Sequence, residues 1–139
     1  MRRENSTDWK HWLRYAEDDK ERGEYLKGFA GEGAGKAIAQ AAHQLVEHSL
    51  KTLYIYKTGE LPQKIHDLPE LARLCASYGL PISEDERVFL DALHGLFIPL
   101  RYPQPAAALP TKEEALQLFG KASALLHKIR DLLPLSGRH

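Results

Sequence analysis

The sequence AIAQAAHQLVEHSLKTLYIYK, residues 37–57, is the longest uninterrupted helical pattern in the chain and decides its fold. At roughly 100° per residue, seven of its side chains fall within one broad arc that can be buried in a bundle. These are Ile38, Ala42, Leu45, Val46, Ser49, Leu50 and Leu53. The opposite face carries Gln40, Gln44, Glu47 and Lys51, which we call the polar ridge. The pattern predicts a central helix, with the polar ridge as the first candidate for a functional surface.

Length and composition indicate one globular domain. The chain has 139 residues, of which 43% are apolar and 27% charged, as is typical of folded domains rather than disordered ones. We expect a single domain over residues 1–139, with a core from about residue 8 to 133 and frayed ends. Basic and acidic side chains balance at 19 each, which disfavours non-specific coating of DNA or of an anionic membrane. A nucleic-acid site would therefore be a local cluster.

Cysteine usage and hydropathy bear on the compartment. Cys75 is the only cysteine, which excludes an internal disulfide and a cysteine-based zinc site. The first residues lack the apolar segment of a secretory signal, and no apolar run approaches the roughly 18 residues that span a bilayer. We therefore expect a soluble, cytoplasmic protein that does not enter a membrane.

Helix-capping residues divide the rest of the chain. The predicted N-caps are Ser6 or Thr7, Asp67, Ser83 and Thr111. Glu86 follows Ser83 at the spacing of a capping box, and Gly59 can end the central helix in a left-handed conformation. Pro99 is expected to end the fourth helix. Since no segment alternates with period two, we predict an all-α fold, an antiparallel four-helix bundle with an additional short helix.

The first predicted helix begins at Asp8 and carries its apolar side chains in one stripe. The stripe consists of Trp9, Trp12, Leu13, Tyr15 and Ala16, and its tryptophans are expected to anchor a core or an interface. Residues 17–21, EDDKE, are interpreted as a solvated charged run. Gly23 weakens the helix, so residues 24–29 are expected to continue it after a kink or to form a separate turn.

Three short motifs follow one another in this helical context. They are Gln44-x-x-Glu47-x-x-x-Lys51-x-Leu53, His66-Asp67-Leu68 and Arg101-Tyr102-Pro103. In this order, over roughly Asp8 to Leu133, they resemble the HEPN family, named for higher-eukaryote and prokaryote nucleotide-binding. The resemblance implies an all-α bundle that is usually a homodimer. It also implies that the gene often lies beside that of a minimal nucleotidyltransferase, with which such a protein can form a toxin–antitoxin pair.

Some members of the HEPN family are metal-independent RNases, and the resemblance bears on catalysis here. Their signature is an arginine followed, after a short spacer, by a histidine beside the dimer cleft. Arg101 is followed by Tyr102 and Pro103, and no histidine occurs before His127. We therefore expect no catalysis by this protein. Arg87 and His94 fit the bare spacing, but we favour core or surface roles for them.

The resemblance places the expected nucleotide or phosphate site on six residues: Arg101, Tyr102, Lys51, Glu47, Gln44 and His66. Arg101 suits bidentate binding of a phosphate, Lys51 adds a second cation, and Tyr102 can stack on a base. The alternatives are structural. Glu47 and Lys51 have the spacing of an ordinary salt bridge within a helix, and the Arg101 motif can lock its loop to the bundle. His66 is expected to make a loop contact beside the cap Asp67.

Metal binding and cofactors are not expected. His43, Glu47 and His48 lie near one another in sequence, but five helical positions turn the two imidazoles roughly 140° apart. Three functional hypotheses remain. The first is a dimer that binds a nucleotide or RNA phosphate, or a nucleotidyltransferase partner, without catalysis. The second is an RNase that uses Arg87 and His94, or a site around Arg101 and His66. The third is a purely structural dimeric adaptor.

Overall fold

The computed structural model describes residues 5–63, 67–96 and 109–135, and its regular structure in these ranges is helical. The described helices are α1 (Trp9–Leu26), α2 (Ala34–Thr58), α3 (Leu68–Ala76), α4 (Glu84–His94) and α5 (Lys112–Arg130). No strand occurs in the described ranges. The predicted fold class, a helical bundle with one additional short helix, is confirmed, and α3 is the shortest of the described helices.

Helix α2 is the centre of the fold. It packs against α1, α3 and α5, and the seven side chains of the predicted apolar arc are all buried. Gly59 ends the helix with φ of 73°, the left-handed conformation that glycine adopts without strain. The helix begins three residues before the quoted pattern, at Ala34, and it ends at Thr58, beside the predicted cap Gly59.

The start of α1 differs from the prediction. Asp8 is the N-cap rather than the first helical residue, and its side chain accepts a hydrogen bond from the backbone N–H of Lys10. Ser6 is buried and does not cap the helix. Its hydroxyl lies 2.8 Å from His11 Nδ1, and its carbonyl accepts a hydrogen bond from the indole of Trp12. Ser6 therefore anchors the segment before the helix.

Helix α1 continues through Gly23 to Leu26, so the first of the two alternatives, continuation of the helix rather than a separate turn, is the one observed. The reason is packing. A Cβ atom at Gly23 would lie 2.0 Å from the ring of Phe119, which is fully buried on α5. The absence of a side chain thus lets α1 and α5 approach each other, and an ion pair between Glu17 and Arg130 joins the same two helices.

The remaining caps agree with the prediction. Asp67 accepts from the backbone N–H of Glu70, and Ser83 and Thr111 each form a complete capping box. Helix α4 ends at His94, whereas the pattern had suggested a longer helix up to Pro99. Pro99 itself lies outside the described residues. Across the part of the chain that the structure describes, no helix is long and apolar enough to cross a membrane.

Candidate functional site

The polar ridge of α2 divides into two parts. Gln40 and Gln44 are exposed, whereas Glu47 and Lys51 retain only 5% and 3% of their surface. Glu47 and Lys51 form the expected salt bridge, with 3.6 Å between Oε2 and Nζ. An exposed salt bridge of this kind contributes a few tenths of a kcal/mol to stability. That value does not apply to Glu47 and Lys51, because burial removes the solvent that screens charges.

Lys51 has two partners that stabilise its charge. Besides Glu47, its ammonium lies 4.3 Å from the centre of the Trp12 ring, at cation–π distance. Burial lowers the pKa of Lys51, while the charge and hydrogen bond of Glu47 oppose that effect. The ammonium is therefore held inside the protein between a carboxylate and an indole.

The second oxygen of Glu47 faces another buried side chain of α2. Oε1 lies 3.9 Å from Nδ1 of His43, which is 5% exposed. His43, Glu47 and Lys51 follow one another at intervals of four residues, so they form one row along the helix. We call these three residues the buried row.

Asp19 is the main functional candidate that the sequence reasoning missed. The interpretation of residues 17–21 as a solvated run is wrong for Asp19, which is 3% exposed. Its Oδ2 lies 2.6 Å from Nδ1 of His48, and its Oδ1 lies 3.3 Å from Nη2 of Arg22. The spacing from Trp12 through Ala16 to Asp19 places all three on one helix face, which is the signal that could have revealed it.

The His48 imidazole lies in an aromatic cluster between α1 and α2. The ring centres of Trp12 and Tyr15 lie 5.7 and 5.6 Å from that of His48, and 5.3 Å from each other. Trp12 is buried, as expected of an anchor, while Trp9 is half-buried against Tyr56. The same interface contains a hydrogen bond from Arg22 to the Gln44 side chain. Asp19, Arg22, Gln44 and His48 thus form a polar cluster that joins α1 to α2.

Arg87 and His94 occupy different surroundings on α4. Arg87 is exposed, lies 3.9 Å from Glu84 and lines a groove of about 390 Å³ between α3 and α4. His94 does not line that groove. Its Nδ1 is buried and has no hydrogen-bond partner within the described ranges. The structure therefore records no shared site for these two residues.

The other predicted site residues, Arg101, Tyr102 and His66, lie outside the described residues. Residues 5–63, 67–96 and 109–135 contain no group of three or more histidine, cysteine or acidic residues arranged to hold a metal ion. The described part of the expected phosphate site therefore consists of Gln44, Glu47 and Lys51. Gln44 is the member of this set at the surface.

Comparisons with known proteins agree with this architecture. No curated protein sequence matches the chain at a significant level. The crystal structure of TT1696 from Thermus thermophilus is similar in fold, with a TM-score of 0.75 and 24% sequence identity, and the match covers 92% of this chain and 100% of that one. The model of the HEPN domain matches residues 9–132. Because this match extends over nearly the whole chain, the protein belongs to the HEPN domain family.

Proposed function

We propose that this protein binds the phosphate of a nucleotide or of RNA, as a homodimer and without catalysis of its own. We also propose that its protein partner is a minimal nucleotidyltransferase in a toxin–antitoxin-type system. The observation that carries the proposal is the buried row. Removing charged groups from water costs several kcal/mol per ion, and apolar side chains would fill the same space more cheaply. Charges kept there at such a cost are typical of functional sites.

The roles within the proposed site follow from burial. Lys51 is enclosed and its charge is balanced by Glu47, so in the described conformation it orders the α2 side of the site and makes no direct contact with the phosphate. Direct contact with the phosphate is assigned to Arg101, whose guanidinium offers paired donors, and to Tyr102, which can stack on a base. Gln44 contributes a polar group at the surface of α2.

The proposal is tested by equilibrium binding of ATP and of a single-stranded RNA hexamer to the purified protein. We expect Arg101→Ala to weaken the affinities for ATP and for the RNA hexamer by about tenfold or more, since hydrogen bonds to charged groups contribute about 1.5–3 kcal/mol each. Arg14→Ala is the matched control, because Arg14 is an exposed arginine of α1. If Arg101→Ala and Lys51→Ala bind both probes as well as the wild type but fail to dimerise, the structural-adaptor hypothesis is correct instead.

A metal-independent RNase is the second candidate function, and one observation favours it. The buried Nδ1 of His94, without a hydrogen-bond partner in the described ranges, is the kind of polar atom that is often reserved for a ligand. The test is RNA cleavage in the presence and absence of EDTA by the wild type and the His94→Ala, His66→Ala and Arg87→Ala variants. EDTA-resistant cleavage that is lost in one of these variants, but not in His127→Ala, would replace the non-catalytic proposal.

A further inference from the structure

We propose that His48 and Arg22 are a part of the phosphate-binding surface, and that Asp19 positions both of them. The inference rests on the proposed function, since it adds α1 and α2 residues to the contacts of the same nucleotide or RNA ligand. It differs from that proposal in its residues, because none of the three belongs to the motifs that carried the family resemblance.

The first observation is that the two carboxylate oxygens of Asp19 contact two different side chains. One oxygen contacts the imidazole of His48 and the other contacts the guanidinium of Arg22. Because the carboxylate is almost completely buried, it holds the two cation-forming groups side by side at the edge of the α1–α2 interface. Such a buried carboxylate is well suited to orient other side chains.

The second observation is that one ring nitrogen of His48, Nε2, is accessible. The Asp19 bond uses Nδ1, whereas Nε2 makes no hydrogen bond within the described ranges and is not buried. The side chain is 19% exposed, and Trp12 and Tyr15 flank the ring. A histidine whose Nδ1 faces a carboxylate and whose Nε2 faces solvent can donate from Nε2 to an anionic oxygen once the ring is protonated.

The third observation is the unused donor capacity of Arg22. Its Nη2 contacts both Asp19 and Gln44, while Nε and Nη1 donate no hydrogen bond within the described part of the chain. The side chain is 46% exposed, so these donors are accessible. A guanidinium presents several donors in one plane, which matches the oxygens of a phosphate group.

The chemical class of the ligand follows from the charges. When Nε2 donates to a phosphate, the His48 imidazolium and the Arg22 guanidinium carry two positive charges against the single negative charge of Asp19. Two donors held at a fixed separation then favour an anion with several oxygens over a halide. A nucleotide and an RNA backbone both offer such a phosphate, so the experiment uses both probes.

The experiment compares variants that keep or remove each contact. In His48→Asn, the amide nitrogen can replace Nδ1 toward Asp19, but nothing replaces Nε2. In His48→Gln, the amide nitrogen reaches the position of Nε2. Arg22→Met keeps the length of the side chain and removes its donors. His127→Asn is the control, because His127 is an exposed histidine of α5. Each variant is first compared with the wild type by circular dichroism and thermal unfolding.

We expect His48→Asn and Arg22→Met each to raise the Kd for ATP or the RNA hexamer by about tenfold. We expect a smaller increase in Kd for His48→Gln and no change in Kd for His127→Asn. An effect on one probe alone identifies the source of the phosphate. In the wild type, the ¹⁵N resonance of His48 Nε2 should shift on addition of the same probe, which tests the contact without a substitution.

The inference is overturned if both variants bind like the wild type and the Nε2 resonance stays in place. When Arg101→Ala abolishes binding in that same series, the proposed function stands and only the His48 contact is wrong. When the wild type binds neither ATP nor the RNA hexamer, the proposed function and this inference both fail.

Discussion

Asp19 shows how a side chain acquires its role from a neighbouring helix. In sequence it belongs to six consecutive charged residues, 17–22, and such a run is usually solvated. Its burial depends on the approach of α2, whose His48 meets it across the helix interface. Periodicity within α1 can place Asp19 on the inner face but cannot supply its partner. For the same reason, sequence spacing predicted the Glu47–Lys51 pair but not its burial.

The first prediction concerns that buried pair. We expect Lys51→Met to lower the free energy of unfolding by about 3 kcal/mol, because Glu47 stays buried after losing its lysine. Glu47→Leu combined with Lys51→Met should recover most of the loss, since no buried charge then remains at this position. Urea unfolding measures both effects.

The control for this experiment is Lys20→Met at an exposed position of α1, where a change within about 0.5 kcal/mol is expected. A similarly small loss for Lys51→Met would mean that water reaches the pair in solution and that its burial is not costly.

Cys75 provides a second prediction at the scale of one residue. Burial raises the pKa of its thiol to about 12, although a hydrogen bond with the backbone of Tyr54 acts in the opposite direction. At pH 8 about one thiol in ten thousand is then ionised, and the thiolate is the reactive form. We expect Ellman's reagent to label the native protein very slowly and the urea-unfolded protein within minutes. Rapid labelling of the native protein would show that α3 opens readily.

At the scale of the helices, local chemistry was the most reliable guide. The caps Asp67, Ser83 and Thr111 were predicted correctly because capping involves only three or four consecutive residues. The sequence left open whether α1 continues through Gly23, because the contact that explains the glycine lies on another helix. Helix propensity favours a break at this glycine, whereas contact with Phe119 explains why the chain needs no side chain there.

The third prediction tests that contact with two glycines that lie inside helices. Gly23→Ala should destabilise the protein by about 1–3 kcal/mol, because the buried ring of Phe119 must move. Gly120→Ala adds a methyl group that meets nothing within 4 Å, so it should stabilise α5 by about 0.5–1 kcal/mol. Thermal unfolding of the two variants measures this difference in sign. Equal effects would contradict the close approach of α1 and α5.

The fourth prediction concerns the connection between α4 and α5. Glu86 completes the capping box of α4 and accepts two hydrogen bonds from Lys128, at 2.7 and 2.9 Å. Burial alone would raise the pKa of Glu86, but hydrogen bonds from Lys128 and Ser83 together lower it below its ordinary value of 4.5. The folded protein thus binds this proton less readily than the unfolded chain. The stabilisation is complete above about pH 4.5 and is lost as the pH falls through the lowered pKa.

We therefore expect Glu86→Gln to lower the free energy of unfolding by about 1 kcal/mol at pH 7 and by much less at pH 3, as measured by urea unfolding at both pH values. Glu113→Gln is the control, because Glu113 is an exposed acidic residue in the first turn of α5. A loss for Glu86→Gln that does not change with pH would show that the carboxylate charge contributes nothing to this connection.

At the scale of the whole molecule, the helical class and the family followed from sequence. The apolar arc of α2 gave the centre of the bundle, and three ordered motifs gave the resemblance that the HEPN domain match confirms. The arrangement of the polar cluster could not be predicted from the sequence. It brings together residues of α1 and α2, such as Asp19 and Gln44, which are 25 positions apart in the chain. The candidate site is thus a product of tertiary packing, whereas the elements that build it are local.

Phosphate binding is tested by a calorimetric titration of the purified wild-type protein with ATP and with the RNA hexamer. The proposed function predicts saturable binding of at least one probe, with an affinity that weakens as salt is added, because the contacts are made to phosphate. Absence of binding to both probes at low salt would contradict the proposed binding of a phosphate.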